Sequence, residues 1–276
     1  MQSPLSGATR VYYIVGDPIA QVKSPAGVSQ ALHALGHNAY VMPAHVAPRD
    51  LAAWLAGVSR AQNVDGIIVT IPHKFAALAL CATTSERAAF LGAVNTLRRN
   101  ADGSWHGDMF DGLGFVAALQ ENAGDPKGKR ALLVGAGGAG SAIAHALVVA
   151  GVRELAVCDD DAARRTALVT RLAGLNLCPV RAGTSDPTGF DLIVNATPAG
   201  MREGDTLPVQ MAPVTAAMQV GCVITAPAIT PLIAQARALG CATVTGAQMF
   251  AKVRDLMVDF LVTPVKANPQ TASPAA

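Results

Sequence analysis

A lysine closes an apolar, β-branched segment of the chain, and its side chain has the chemistry of a proton carrier. Residues 67–74 read IIVTIPHK, so the apolar run ends at Thr70 and Lys74 follows a proline by two residues. A strand rich in β-branched residues has no need of a lysine at its exit. Lys74 is therefore either a surface lysine or a cation held at the mouth of a pocket. A cation near a reacting oxygen can accept a proton or stabilise an alkoxide.

A second chemical signature is a glycine-rich turn within residues 131–161, which read ALLVGAGGAGSAIAHALVVAGVRELAVCDDD. Gly135, Gly137 and Gly140 match the pattern G-x-G-x-x-G between an apolar strand and a helix. The first glycine permits a tight turn, the second lets the backbone approach a pyrophosphate, and the third packs helix on strand. The turn predicts a dinucleotide site at the helix N-terminus, although a turn kept for packing is the alternative. The other residues of this predicted site are Ala136, Gly138 and Ala139.

An aspartate at the end of the next strand bears on the choice of cofactor. Asp159 stands where a carboxylate would bind the adenosine ribose diol, and its charge would repel a 2′-phosphate. The position favours NAD. NADP stays possible, because Arg164 and Arg165 follow one helical turn later and could reach a 2′-phosphate. The alternative is a solvated acidic turn in which Asp160 is the N-cap of the next helix.

Short apolar strands alternate with Ala- and Leu-rich helical segments, which is typical of an α/β fold with parallel sheets. Pro25 is expected to open a helix that runs to Leu35, with Ser24 as its N-cap. Residues 263–276 are expected to form a disordered tail. Other predicted helices cover residues 48–58, 111–122 and 247–262; predicted strands cover 11–16, 38–44 and 64–70, with a hairpin of 93–99 and 104–107.

The composition excludes several classes of protein. Of the 276 residues, 51% are hydrophobic and 14% charged, and the net charge is +2 without a basic run, so no nucleic-acid partner is expected. Neither a membrane span of ~20 apolar residues nor a secretory signal is predicted. Cysteines at 81, 158, 178, 222 and 241 form no C-x-x-C motif and predict buried thiols in a reducing cytoplasm. His33 and His37 have metal-ligand spacing, but no further Cys/His cluster supports a metal site.

The order and spacing of several motifs resemble those of the shikimate dehydrogenase family. The motifs are GDPI…SP, VTIPHK, GAVNT, DGLGF, GAGGAG, NATPAGM and GAQMF, between Gly16 and about Phe260. The resemblance implies a substrate-binding catalytic domain of residues 1–108 plus 246–276 and a Rossmann-type NAD(P)-binding domain of residues 109–245. It also implies reversible oxidation of a ring hydroxyl of shikimate or quinate with NADP or NAD.

The resemblance assigns roles to single residues. Lys74 matches the catalytic lysine and Asp111 the catalytic aspartate, although Asp111 is also a good N-cap for a helix. Asn95 matches a residue that holds a substrate hydroxyl, and Thr70 matches another polar pocket residue. Ser24 matches one of two serines that hold the substrate carboxylate. Cofactor contacts are implied for Asn195, Ala196, Thr197, Gly246 and Met249.

The family pattern is broken where it would bind the substrate. Val22 replaces a serine, Ile68 an asparagine and Val253 a glutamine. Three lost hydrogen bonds at roughly 1–2 kcal/mol each correspond to about 3–6 kcal/mol, or roughly 10²–10⁴ in selectivity against shikimate. A less hydroxylated alicyclic alcohol or ketone fits better, unless residues such as Lys23 supply new contacts. The remaining departures are Thr225 for a tyrosine and Met109 and Phe110 for an asparagine and a threonine.

Two other functions compete with a dehydrogenase of this type. One is a non-catalytic sensor of nucleotides or metabolites, against which the retention of both Lys74 and Asp111 argues. The other is an enzyme like methylenetetrahydrofolate dehydrogenase, which combines a similar cofactor domain with a catalytic lysine; the GAVNT and DGLGF motifs argue against it. The expected partner is a small alicyclic substrate, and the protein is expected to be a monomer or a homodimer.

Overall fold

A computed structural model describes residues 5–263 and divides the chain into two compact units. Of the described residues, the first unit contains 5–108 and 257–263, and the second contains Met109–Leu256. The sequence-predicted boundary before Gly246 therefore differs from the structure, because the first part of the last helix belongs to the second unit. The expected disordered tail lies, from residue 264 onward, outside the described residues.

The first unit alternates strands with short helices. In chain order it contains β1 (Arg10–Gly16), α1 (Ser24–Ala34), β2 (Ala39–His45), α2 (Leu51–Val58), β3 (Val64–Val69), α3 (Lys74–Leu78), β4 (Thr83–Thr84), α4 (Glu86–Leu91), β5 (Thr96–Arg99) and β6 (Trp105–Asp108).

The sheet of the first unit has the order β2-β1-β3-β5-β6-β4. β1 is parallel to β2 and β3, whereas β5 is antiparallel to both β3 and β6, so the predicted hairpin is present. Parallel strands end at the same edge of a sheet. Gly16 and Val69, at the ends of β1 and β3, therefore share an edge with Thr96 at the start of β5 and Asp108 at the end of β6.

The second unit follows a regular strand–helix alternation. It contains α5 (Asp111–Asn122), β7 (Arg130–Val134), α6 (Gly138–Val149), β8 (Glu154–Cys158), α7 (Ala162–Ala173), β9 (Val180–Ala182), β10 (Leu192–Asn195), β11 (Gln219–Cys222), α8 (Pro231–Ala238), β12 (Ala242–Val244) and most of α9 (Gly246–Val262).

The sheet of the second unit is parallel throughout its described strands, in the order β12-β11-β10-β7-β8-β9. The chain runs outward in one direction from β7 and then in the other, so the direction reverses between β7 and β10. Ligands of open parallel sheets bind at this reversal point, beyond the carboxyl ends of the strands. Leu132, Ile193 and Val220 on three of these strands are fully buried, as expected for a sheet covered on both faces.

Three helix starts differ from the sequence prediction. Ser24 was expected as an N-cap but is the first residue of α1, with Lys23 in the cap position. Asp161, not Asp160, caps α7, because its side chain accepts the Arg164 N–H. Asp111 is the first residue of α5, and Phe110 takes the cap position. In each case the cap lies one residue from the predicted one.

The cysteines are less uniformly buried than expected. Cys222 and Cys241 are buried, whereas the thiols at 81, 158 and 178 are half-buried. Burial nevertheless raises the pKa of Cys81 to about 11. A thiol with such a pKa is almost entirely protonated at neutral pH and is a poor nucleophile.

Candidate functional site

Lys74 lies at the carboxyl edge of the first sheet, as its position after β3 predicts. Thr70 follows β3 and donates its N–H to the Val15 carbonyl at 2.9 Å, which fixes the strand exit beside β1. The His73 N–H then bonds to the Thr70 carbonyl at 3.0 Å, and Lys74 begins α3. The lysine side chain is half-buried. The tight path from β3 into α3 thus places both Thr70 and Lys74 at this edge.

Asn95 is brought to the same edge by backbone hydrogen bonds. Its carbonyl accepts the Val69 N–H at 2.7 Å, and the neighbouring Val94 N–H donates to the Lys74 carbonyl at 2.9 Å. Asn95 is fully buried, and its side-chain oxygen accepts the Thr96 hydroxyl at 3.1 Å. The structure therefore brings together Lys74 and Thr70, from one sequence motif, and Asn95, from another.

The predicted substrate-side substitutions in the first unit lie in different environments. Ile68 is 2% exposed and pairs with Thr96, next to Asn95. Val22 is half-buried in the loop after β1, and Ser24 is buried at the start of α1. Val22 and Ser24 follow the carboxyl end of β1 in the chain, while Ile68 lies one residue before the end of β3.

The glycine-rich turn of the second unit has the geometry expected of a dinucleotide site. Gly135 has a φ of 105°, a left-handed conformation that favours glycine. A Cβ on Gly140 would lie 1.9 Å from the Gly135 carbonyl oxygen, so the helix can approach the strand only without a side chain there. A Cβ on Gly137 would meet nothing within 4 Å among the described residues, which leaves open space at the N-terminus of α6. These residues fit a bound pyrophosphate.

Two substitutions separate packing from ligand binding at this turn. Gly140→Ala is expected to lower both the melting temperature and dinucleotide affinity, because its methyl group collides with backbone. Gly137→Ala is expected to keep the melting temperature and still weaken dinucleotide binding, by about 10-fold or more, because its methyl group enters the open space. Thermal unfolding and calorimetric titration with NAD and NADP measure both effects. A Gly137→Ala protein with unchanged affinity would contradict the placement of the pyrophosphate.

Asp159 is tied into the glycine-rich turn. Its carboxylate accepts the Ala136 N–H at 2.6 Å and the Asp161 N–H at 2.9 Å. Arg164 lies nearby, with a nitrogen 3.8 Å from Asp159 and another 3.3 Å from Asp161. The two carboxylates thus hold a guanidinium that, on sequence position, was a candidate for binding a 2′-phosphate. Arg165 bonds to the Asp159 carbonyl at 3.2 Å.

The loop after β10 lies against the same turn. The Ala196 N–H bonds to the Val134 carbonyl at 2.7 Å, and a Cβ on Gly135 would lie 2.8 Å from the Ala196 carbonyl carbon. Asn195 is fully buried; its side-chain oxygen accepts the Thr197 N–H and hydroxyl at 3.0 and 2.7 Å. Its amide group donates to the Ala199 carbonyl at 3.1 Å. Asn195 therefore shapes this loop, a role that its predicted cofactor contact did not include.

The remaining predicted residues of the second unit lie at the start of α5, in α9 and after β11. Asp111 is 6% exposed at the start of this helix. A Cβ on Gly112 would lie 2.1 Å from the Ala142 carbonyl oxygen of α6, so the helices pack backbone to backbone. Val253 of α9 packs against Gly114, whose Cβ would lie 2.3 Å from a Val253 methyl carbon. This contact accounts for an apolar residue at 253 without a ligand. Met249 is buried, Thr225 is half-buried, and a Cβ on Gly246 would lie 2.2 Å from the Ile224 carbonyl oxygen.

An ion pair of the first unit was missed by the sequence analysis. Arg87 of α4 donates to both carboxylate oxygens of Asp108, at 2.9 and 2.5 Å. Asp108 is 5% exposed, and its backbone carbonyl accepts the Asn95 N–H at 2.9 Å. The sequence feature that could have revealed this ion pair is an acidic residue at the end of a strand that enters a core.

The structure also bears on metals and membranes. Among residues 5–263, no group of three or more His, Cys, Asp or Glu side chains is arranged to hold a metal ion. His33 instead packs its ring edge-on against Tyr40, with the centroids 4.7 Å apart. None of the helices in the described part of the chain has the length and apolar character needed to cross a bilayer.

The two units, with a glycine-rich turn in a parallel sheet, define an α/β protein of the dinucleotide-binding class. A family profile, the shikimate dehydrogenase substrate binding domain, matches residues 14–97, and one of the ThiF family matches residues 120–171. Over 254 residues the chain is 37% identical to "Shikimate dehydrogenase (NADP(+))" of Rhodospirillum rubrum, covering 89% of both chains. The chain therefore belongs to the shikimate dehydrogenase family, as its motifs predicted, and it is an oxidoreductase.

Two solved structures extend the comparison. Quinate dehydrogenase from Corynebacterium glutamicum in complex with NAD is 29% identical, with a TM-score of 0.84 over 92% of this chain and 94% of that chain. The ligand-free 5-ketofructose reductase of Gluconobacter sp. strain CHM43 is also 29% identical, with a TM-score of 0.83 over 92% and 93%. These relatives share the fold and differ in the substrates that their names give.

Proposed function

We propose that the protein is an NAD(P)-dependent dehydrogenase of shikimate dehydrogenase type. It transfers hydride reversibly between a nicotinamide and a ring hydroxyl or ketone of shikimate, quinate or a less polar alicyclic analogue. The observation that supports this most is the convergence of Lys74, Thr70 and Asn95 on one sheet edge. A dehydrogenase also needs a cofactor site, and the glycine-rich turn of the second unit has the geometry expected of one. In this proposal the first unit binds the substrate and the second the cofactor.

The proposed chemistry divides hydride and proton between two acceptors. The glycine-rich turn of Gly135, Gly137 and Gly140 would hold the dinucleotide, which would supply the hydride acceptor for the alcohol and the hydride donor for the ketone. Lys74 takes the hydroxyl proton in one direction and returns it in the other. Asp111 is the second catalytic residue of the proposal, because it matches the catalytic aspartate of the family motif. Asn95 and Thr70 orient the hydroxyl groups, and the backbone bonds that hold their segments limit the reorganisation needed during reaction.

For the cofactor we propose NAD as the preferred dinucleotide, with NADP as a possible second. The name of the Rhodospirillum relative favours NADP, whereas the Corynebacterium neighbour was solved with NAD. The proposal for this chain depends on Asp159, which follows β8 where the fold class has the ribose-binding carboxylate and whose charge would repel a 2′-phosphate. Arg164, one candidate partner for that phosphate, lies within 4 Å of two carboxylates.

Replacing Asp159 tests this preference. Asp159→Ala is expected to reduce the ratio of kcat/KM for NAD to that for NADP by about 10-fold or more, because a diol acceptor and a phosphate repulsion disappear together. Both affinities are also expected to fall, since the carboxylate holds the Ala136 N–H. Asp160→Ala, at an exposed neighbouring aspartate, is the matched control and should leave the ratio unchanged. A wild-type preference for NADP would contradict the proposal.

The substrate is tested by a panel of alcohols and ketones followed at 340 nm with each dinucleotide. Shikimate, quinate, simpler cyclohexanols and cyclohexenols, and 5-ketofructose represent the substrate classes raised by the motifs and by the neighbours. We expect the highest kcat/KM with a less hydroxylated ring, because Val22 and Ile68 replace polar residues of the family. A protein that binds dinucleotide and turns over none of these compounds would support the sensor instead.

A further inference from the structure

The ion pair of Arg87 and Asp108 joins the helix α4 to the end of β6 in the first unit. Both guanidinium contacts reach the carboxylate, and the Ser85 hydroxyl donates a further hydrogen bond to one of its oxygens. The Asp108 side chain is 7% exposed and that of Arg87 30%. A planar guanidinium bound at two points fixes both distance and orientation, which a single contact would not do.

The backbone of Asp108, in contrast to its side chain, is bonded to one of the proposed substrate residues. Its backbone carbonyl accepts the Asn95 N–H at 2.9 Å. The segment that carries Asn95 begins at the end of α4, where Gly92 has a left-handed φ of 69°. Arg87 and Asp108 thus hold this short segment at both ends: one through the helix before it, the other through the strand beside it.

The same segment is bonded to Lys74. Val94 donates its N–H to the Lys74 carbonyl at 2.9 Å, and the Asn95 carbonyl accepts the Val69 N–H at 2.7 Å. A chain of hydrogen bonds therefore runs from the ion pair to the backbone of the proposed catalytic lysine. Displacements of about 1 Å at a catalytic site can lower rates by about 10²-fold.

We propose that Arg87 is a positioning residue of the proposed dehydrogenase, which acts through Asp108 on Asn95 and Lys74. This inference rests on the proposed function for its catalytic consequence. Without the guanidinium, the Asp108 carboxylate keeps the Ser85 hydroxyl but loses its two-point donor, so we expect the end of β6 to shift. The Asn95 N–H then loses its acceptor, and the segment beside Lys74 loosens.

Two substitutions at Arg87 measure the effect in graded steps. Arg87→Met keeps the aliphatic stem and removes the charge; we expect kcat/KM per folded molecule to fall about 10²-fold. Arg87→Lys keeps the charge but not the two-point contact, and we expect a smaller loss of about 10-fold. The dissociation constant for the dinucleotide is expected to stay unchanged in both variants. Arg87→Lys also serves if Arg87→Met does not fold.

A second ion pair of the same unit supplies the matched control. Arg10 also donates to both oxygens of a carboxylate, that of Asp65, but at the amino ends of β1 and β3. Arg10→Met and Arg10→Lys remove the same groups away from the edge that carries Lys74. We expect these variants to lower the melting temperature at most and to leave kcat/KM per folded molecule unchanged.

Backbone amide hydrogen exchange measures, without any substrate, how firmly the segment of Val94 and Asn95 is held. In Arg87→Met and Arg87→Lys, the amides of Val94 and Asn95 are expected to exchange about 10-fold faster or more, while the Arg10 variants leave them unchanged. Unchanged exchange, or kcat/KM per folded molecule equal to wild type, would overturn the positioning role. Wild-type protein inactive on the whole substrate panel would instead contradict the proposed function. The exchange result would still show whether Arg87 holds the segment of Val94 and Asn95.

Discussion

Replacing Lys74 by alanine is expected to lower turnover on the best substrate by at least about 10²-fold, the low end for a lost general acid–base group. The dinucleotide dissociation constant should remain that of the wild type, because the glycine-rich turn and Asp159 belong to the second unit. The helix α3 should persist in the variant, since Lys74 contributes to the local structure through its carbonyl bond to Val94, and alanine retains that group. The loss should therefore appear in kcat.

Lys23→Ala is the control for this experiment. Lys23 is an exposed lysine of the same unit, and it is the residue most suited to replace the lost serine contact with a substrate carboxylate. Its removal should leave kcat intact and raise KM only for carboxylated substrates. Turnover of Lys74→Ala within a few-fold of the wild type would contradict the assignment of proton transfer to Lys74. Asp111→Asn should also be slow, with more residual activity, because an amide keeps the shape and a hydrogen-bond acceptor of the carboxylate.

The fold could be predicted from the sequence because its signals are local. Strands of four to seven residues with apolar runs and a glycine pattern between β7 and α6 identify the α/β class without any long-range information. Helix caps were placed one residue away, as at Ser24 and Asp160, since a cap depends on the conformation of a single residue. The last helix, α9, was also predicted from the sequence. The residue at which it passes from the second unit to the first depends on packing.

The candidate site was less predictable than the fold. The motifs made Lys74 and Asn95 candidates, but the hydrogen bonds that bring their segments together follow from sheet register. The pair of Arg87 and Asp108 joins residues 21 positions apart, and such a pair has no periodic signature. Ion pairs such as those of Arg164 with Asp159 and Asp161 could likewise not be predicted from the sequence. A residue type can thus suggest a partner, while the structure decides which partner it has.

The second large effect concerns discrimination against shikimate. Wild-type kcat/KM for shikimate is expected to be roughly 10²-fold or more below that for the best less polar substrate, as lost hydrogen bonds of about 1–2 kcal/mol each imply. Ile68 pairs with Thr96 next to Asn95, and its isoleucine side chain offers a substrate no hydroxyl or amide group there. Val22 likewise lacks the hydroxyl that the family serine supplies.

Restoring the polar groups tests the origin of this discrimination. Val22→Ser and Ile68→Asn singly should do little, because one polar group in an apolar wall finds few partners and loses hydration. The double variant should raise kcat/KM for shikimate by more than the product of the single effects, since residues that share one ligand couple. It should also lower kcat/KM for the apolar substrate, because specificity is a difference of affinities. Val253→Gln is the contrasting variant: it replaces a side chain packed on Gly114, and we expect it to lower the melting temperature. Wild-type kcat/KM for shikimate of about 10⁴ M⁻¹s⁻¹ or more would show that other residues had replaced the lost contacts.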